Sequence, residues 1–193
     1  MEWKSASLIA WCAAAGALTG GLIAVKRSVA PTGLLAMTAA NAFGGGVLRD
    51  VLLGHSPPVA LVHSRYLIVA VSAALLCFFA RSIVHRARPL IDIVDAVGTA
   101  LFATVGAATA ITSGLGPLSA VLIGSLNAIG GGLLRDIISG ETPDLTRPGP
   151  ITALAGVVTA VAYVVLIDVG DIDSTIAQLL SIAIGVALRS VSI

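Results

Sequence analysis

The chain has 193 residues, of which 57% are hydrophobic and 11% are charged, and its formal net charge is +1. Soluble domains carry about 25% charged residues, so this composition excludes an ordinary soluble protein, and the small net charge gives no case for a nucleic-acid partner. Apolar runs of 18 or more residues recur between short polar breaks, and each can cross a hydrocarbon core about 30 Å thick. The chain is therefore predicted to be an all-α membrane protein with a single transmembrane domain, residues 1–193, in contact with a lipid bilayer.

Seven transmembrane helices are predicted from these runs, because each break between them contains Gly, Pro or charged residues that end a helix. The seventh is short and ends at Arg189. A cleaved signal peptide is the alternative for the first run, but the duplication described below needs that segment as a helix. In chain order the predicted helices cover about residues 7–25, 32–54, 65–84, 89–112, 117–140, 150–168 and 174–190.

An internal duplication relates the two halves of the chain. A shift of 86 residues aligns residues 8–57 with residues 94–143 without a gap, and 16 of the 50 positions are identical. The repeat unit holds three predicted helices, an odd number, so the second copy must enter the membrane from the opposite side. This pattern predicts an inverted-topology repeat, as in many transporters. Repeat one covers about residues 7–85 and repeat two about residues 89–168, and the seventh helix, about residues 174–190, lies outside the duplication.

Lys and Arg residues in the short loops predict the orientation, because cationic loops stay on the cytoplasmic side. The count favours an N-terminus outside and a C-terminus in the cytoplasm, in the plasma membrane of a bacterium or archaeon. The outside segments then carry Lys4 and Arg65. The inside segments carry Lys26, Arg27, Arg81, Arg86, Arg88, Arg147 and Arg189.

One decapeptide occurs twice, as NAFGGGVLRD at residues 41–50 and as NAIGGGLLRD at residues 127–136. An interior Gly costs about 1 kcal/mol of helix stability relative to Ala, so each triplet costs roughly 3 kcal/mol. Close helix packing is one interpretation. The favoured interpretation is a kink or an unwound turn whose freed carbonyl groups line a wet pore and bind a desolvated cation. The glycines concerned are Gly44, Gly45, Gly46, Gly130, Gly131 and Gly132.

Each triplet is followed by an Arg and an Asp. Arg49 and Arg135 share a helix face with the glycines, and a buried Arg is costly unless it is paired or hydrated. Adjacent helical residues point about 100° apart, so Asp50 and Asp136 are expected to pair across helices instead of with the neighbouring Arg. The alternative is that all four charges extend to the membrane interface from the helix ends.

Three further polar residues are candidates for the pore lining. Asn41 and Asn127 precede the triplets, where they could cap a half-helix or bond across helices. Asp95 lies deeper in the fourth predicted helix than Asp92 does, and the first repeat has Ile9 in its place. The role of Asp95 is therefore not symmetric.

With its two GGGxxRD segments and the stretch DAVGTALFATVGAATA that opens the second repeat, the chain resembles bacterial members of the trimeric intracellular cation (TRIC) channel family. The resemblance covers about residues 7–190. It implies seven transmembrane helices, a homotrimer, and one pore inside each subunit between kinked second and fifth helices. It also implies permeation of monovalent cations, potassium above all with sodium as the second candidate, and no other cofactor. By position, the glycine triplets match the kinks, and Arg49, Asp50, Arg135 and Asp136 match the charged end of the motif.

The residues leave two functional classes open. No catalytic constellation is present, so an enzyme is not expected. Cys12 and Cys77 both fall in apolar runs and indicate membrane-buried thiols. A potassium channel is favoured because the triplets can supply carbonyl ligands. A secondary carrier of a small amino acid such as glycine is the alternative, because a carboxylate could dock on Arg49 or Arg135.

Overall fold

A computed structural model of the chain describes residues 2–81, 88–146, 152–170 and 172–191. Within these residues the protein is entirely helical, with eight α-helices, one turn of 3₁₀-helix at Asp144–Thr146, and no strand. The α-helices are α1 (Glu2–Lys26), α2 (Pro31–Leu52), α3 (Val59–Val62), α4 (Ser64–Phe79), α5 (Arg88–Thr112), α6 (Pro117–Ile138), α7 (Thr152–Asp168) and α8 (Ser174–Val191).

The predicted helices correspond to all of these except α3, a four-residue helix between α2 and α4. Helices α2 and α6 end two residues earlier than predicted, because Gly54 and Gly140 adopt φ values of +72° and +69° and terminate them. Helix α4 ends at Phe79 and is capped by Ala80, five residues before the predicted end of the third helix at residue 84. Residue 84 itself and the cationic residues Arg86 and Arg147 lie outside the described residues.

Among the residues that the structure describes, four helical segments are both long and apolar enough to cross a membrane: Leu8–Lys26, Ile91–Thr112, Pro117–Ile138 and Ser174–Val191. Helices α4 and α7 are apolar but shorter, at 16 and 17 residues. Helix α2 has the length, at 22 residues, but is not apolar enough to be among the four. Length and composition therefore identify four clear spans, fewer than the seven predicted from the sequence.

The sequence duplication is also a duplication of contacts. The Asn41 side-chain amide donates to the Gly16 carbonyl at 2.8 Å, and 86 residues later Asn127 donates to the Phe102 carbonyl at 2.5 Å. Pro31 and Pro117 each occupy the first turn of α2 and α6, where a missing N–H costs nothing. The backbone hydrogen bonds at the C-terminal ends of α2 and α6 also correspond under the 86-residue shift.

Helices α2 and α6 form the most extensive helix–helix contact and lie at the centre of the molecule. Helix α1 packs beside α2, and α5 packs beside α6. Helix α8, outside the duplication, packs on α5 and α7, where the Thr104 and Ser181 hydroxyls lie 3.2 Å apart. Small side chains dominate this packing, because small residues let membrane helices approach closely. The largest buried cluster is built around Ala103, Ala107, Ala110, Ala120, Ala160 and Ala177.

Candidate functional site

The glycine triplets lie where α2 crosses α6, and both helices remain continuous through them. The expected unwound turn, with carbonyl groups freed for a cation, is therefore absent. The first two glycines of each triplet are needed for close packing instead. A Cβ at Gly131 would lie 2.6 Å from the Asn41 carbonyl oxygen, and one at Gly45 would overlap the Asn127 carbonyl oxygen.

The third glycine of each triplet does not take part in this packing. A Cβ at Gly46 would have no atom within 4 Å, and one at Gly132 would meet only the Arg135 side chain, 3.5 Å away. Each of these two glycines lines a cavity. The triplet therefore follows the packing interpretation at its first two glycines, and the third glycine leaves space beside the crossing.

The cavity beside Gly132, which we call the polar cavity, has a volume of about 50 Å³, enough for a few water molecules. Helices α1, α2, α5 and α6 all contribute to its wall. Its polar lining residues are Thr19, Asn41, Asp95, Thr99, Arg135, Asp136 and Thr152.

The cavity beside Gly46, the apolar cavity, is smaller, at about 30 Å³. Part of its wall corresponds to the wall of the polar cavity under the 86-residue shift. Gly46, Arg49 and Asp50 line the apolar cavity at the positions that Gly132, Arg135 and Asp136 occupy in the polar one. The remaining wall differs in character. Ile9, Cys12 and Ala13 of the apolar cavity replace Asp95, Gly98 and Thr99 of the polar one.

Phe102 contributes to the walls of both cavities and therefore stands between them. No sequence pattern points to this residue, because an aromatic side chain within an apolar run is ordinary, and the first repeat has Gly16 in its place. Tyr66, only 1% exposed, also lines the apolar cavity and was missed for the same reason.

Both Arg–Asp pairs are buried and form within one helix. The expectation that Asp50 pairs across helices instead of with its neighbour is therefore wrong, whereas Asp136 pairs both with its neighbour and across helices, with Arg27. Arg49 donates from Nε and Nη2 to Asp50 Oδ1 at 2.8 and 2.6 Å. Arg135 donates from Nε to Asp136 Oδ1 at 3.0 Å, with Nη2 at 2.9 Å. The long Arg side chain reaches back to the adjacent carboxylate although the two Cβ atoms point apart. All four side chains are at most 4% exposed, so none of them extends from the surface of the subunit.

Contacts across helices distinguish the two ends of the crossing. Asp136 Oδ1 also receives Arg27 Nη2 at 3.1 Å, and Arg27 Nη1 donates to the Ser139 hydroxyl at 2.5 Å. Arg135 Nη1 lies 3.4 Å from the Asn41 side-chain oxygen. The polar cavity is therefore bordered by a network that joins both repeats.

Asp95 contacts a residue from outside the duplication. Its Oδ2 lies 3.5 Å from Nη2 of Arg189, on α8. This partner accounts for the asymmetry expected of Asp95, because helix α8 has no copy beside the first repeat. Within the described part of the chain no three His, Cys, Asp or Glu side chains form a metal-binding group.

Comparison with known proteins places these features in a family. The family model described as "Glycine transporter" matches residues 7–82 and 92–168. A UPF0126 membrane protein of Deinococcus radiodurans is 41% identical over 129 residues, 67% of this chain and 60% of that protein. The match thus spans less than two thirds of that relative. The UPF0126 inner membrane protein YadS of Escherichia coli K12 is 33% identical over 151 residues, 76% of this chain and 73% of that protein.

Two solved structures share the whole fold. A TRIC trimeric intracellular cation channel orthologue from Rhodobacter sphaeroides is 29% identical, with a TM-score of 0.89 over 97% of this chain and 95% of that chain. A prokaryotic TRIC channel solved in 0.5 M KCl is 26% identical, with a TM-score of 0.89 over 100% of this chain and 96% of that one.

Proposed function

The chain belongs to the trimeric intracellular cation (TRIC) channel family, and from that premise we propose that it is a channel for monovalent cations, potassium above all, with one pathway inside each subunit. The observation that carries the proposal is the pair of cavities on either side of the α2–α6 crossing. Each holds a buried Arg–Asp pair and an open glycine position. A continuous path needs these two cavities to join past Phe102.

The contacts at the crossing support an inverted repeat. Residue 131 lies against residue 41, and residue 45 lies against residue 127. Residues later in α2 contact residues earlier in α6, so the two helices run antiparallel where they meet. The contacts are also reciprocal under the 86-residue shift, which requires an approximate two-fold axis between the repeats. An axis that relates antiparallel membrane helices lies across them, in the plane of the membrane.

We assign seven spans to the bilayer: α1, α2, α4, α5, α6, α7 and α8. Helix α2 belongs among them despite its polarity, because its polar residues face α6 and the two cavities instead of lipid. Asn41, Arg49 and Asp50 are all at most 7% exposed. Self-association as a homotrimer accords with the solved relatives, whose names describe trimeric channels.

In the conformation that the structure describes, the proposed pathway would be closed. The crossing is packed so tightly at Gly45 and Gly131 that no ion fits between the helices there. A cation in the polar cavity would be solvated by water, the Thr19 and Thr99 hydroxyls and the Asp95 carboxylate. Opening then requires displacement of Phe102 and a small separation of α2 from α6.

Potassium flux tests the proposal. Purified protein in proteoliposomes loaded with KCl should dissipate a potassium gradient rapidly, without counter-substrate, and the flux should respond to voltage. Moving one charge through 100 mV changes its energy by about 2.3 kcal/mol. Empty liposomes are the control. Flux no higher than in the control would contradict the channel.

A glycine carrier is the second candidate, favoured by the description of the family model. The Arg49 side chain in the apolar cavity could receive a carboxylate there. A carrier should show saturable uptake of labelled glycine, exchange with unlabelled glycine, and little conductance. If such uptake is observed and is lost in the Arg49→Ala variant, the protein is a carrier and not a channel.

A further inference from the structure

Arg27 makes the two ends of the proposed pathway electrically unequal. It follows α1, in the loop before α2, yet its guanidinium contacts the far end of α6, 109 residues away in the sequence. There it bonds Asp136 Oδ1 at 3.1 Å and the Ser139 hydroxyl at 2.5 Å. The contact thus joins the first repeat to the charged motif of the second.

The carboxylate of Asp136 is in contact with two guanidinium groups, those of Arg27 and Arg135, on the same oxygen atom. Its counterpart Asp50 contacts one guanidinium, that of Arg49, and its second oxygen accepts the Val59 backbone N–H at 2.9 Å. Asp50 therefore has one guanidinium in contact with its carboxylate, and Asp136 has two.

The duplication shows that this difference is particular to the first repeat. The position 86 residues after Arg27 is Ser113, which carries no charge. Its hydroxyl lies 3.5 Å from Nε2 of His55, just beyond the end of α2. Both loops therefore rest on the end of the opposite repeat's central helix, and only one of them brings an Arg there.

Asp136 lines the polar cavity, whereas Arg27 does not. Arg27 itself is 19% exposed. We propose that Arg27 is a positioning residue that reduces the entry of cations into the polar cavity, because it holds the Asp136 carboxylate and neutralises its charge without lining the cavity itself. This inference rests on the proposed function. It adds that Arg27 makes the cation conductance lower, and more asymmetric with voltage, than it would be with the cavity-lining residues alone.

Currents across planar bilayers test the inference, with KCl at different concentrations on the two sides. Arg27→Gln should raise potassium conductance about threefold or more, because a like charge close to a partly screened path is removed. The reversal potential should shift toward higher cation selectivity, and rectification should weaken. Arg27→Lys keeps the charge and should behave as the unmodified protein does.

Lys26→Gln is the matched control, since it removes the same charge from the adjacent, exposed residue. It should leave conductance, selectivity and rectification unchanged. Arg27→Gln combined with Asp136→Asn should lose the gain, because the released charge belongs to Asp136. Size-exclusion chromatography of each variant separates a change in current from a loss of assembly.

Equal effects of Arg27→Gln and Lys26→Gln would overturn the inference and leave the channel intact. A gain that persists with Asp136→Asn would overturn it as well. If the unmodified protein and Arg27→Gln are both silent, the proposed function fails and this inference fails with it.

Discussion

Each buried Arg–Asp pair depends on both of its members. Arg49 is 4% exposed and Asp50 is 1% exposed, so neither charge is stabilised by bulk water. A buried ion pair contributes little net stability as a pair, but the loss of one partner leaves an uncompensated charge in a medium of low dielectric constant. The residues are therefore strongly coupled.

Arg49→Met should lower the free energy of unfolding by about 3–5 kcal/mol, because it leaves the Asp50 carboxylate without its cation. Adding Asp50→Asn should recover most of that loss, since the amide is neutral and its oxygen can still accept the Val59 N–H. The control is Arg81→Met, which removes an exposed cation that stacks on the Phe78 ring. Denaturant titration in detergent micelles measures all three variants. A loss for Arg49→Met no greater than for Arg81→Met would show that the buried pair is dispensable.

At the scale of helices, the glycines of α2 have two different structural roles. Gly44 and Gly45 face α6, where added side-chain atoms would meet Leu134 or the Asn127 backbone. Gly46 faces open space. One triplet therefore contains both the contact surface of the helix and the wall of a cavity.

Gly45→Ala should destabilise the protein by about 1–3 kcal/mol, because the new methyl group overlaps a backbone carbonyl that cannot rotate away. Gly46→Ala, one position later, should stabilise it by about 0.5–1 kcal/mol, because Ala restricts the unfolded chain and meets no atom here. Thermal unfolding of the two purified variants compares them directly. Equal destabilisation by both would show that the division of roles within the triplet is wrong.

On the scale of the whole molecule, one helix breaks the symmetry of the duplicated bundle. Helix α8 packs only on the side of the second repeat, where Arg189 reaches Asp95 and Gly185 lies so close to Thr159 that no side chain fits. In the proposed assignment, two repeats of three spans and one added helix give an odd number of crossings. The two ends of the chain should therefore lie on opposite sides of the membrane.

Reporter fusions test this topology. A reporter after residue 193 should be cytoplasmic and one before residue 1 extracytoplasmic, because Lys26, Arg27 and Arg81 are predicted on the cytoplasmic side. Alkaline phosphatase and green fluorescent protein fusions report the two sides in intact cells. If the reporters at both ends are active on the same side of the membrane, one of the seven proposed spans is wrong. An internal fusion between residues 81 and 88 is the control for the cytoplasmic side.

The sequence alone determined the helical class, the approximate helix positions and the 86-residue duplication. Helix spans follow from local composition, because apolar runs and Gly or Pro breaks act on neighbouring residues. The duplication is visible as residue identities at the 86-residue shift, and in the structure Asn41 and Asn127 make equivalent hydrogen bonds across helices. Burial of Cys12 and Cys77 followed from their apolar surroundings in the same way.

Tertiary structure decided which partners those residues meet. Periodicity gives the direction of a Cβ atom but not the course of a long side chain, so it misplaced the partner of Arg49. Helical continuity through the triplets depends on how closely α6 approaches α2, a distance that no local pattern encodes. The contacts of Arg27 with Asp136 and of Arg189 with Asp95 join residues 109 and 94 positions apart. Such pairs exist only after the helices have packed, because packing alone brings distant segments within reach of one another.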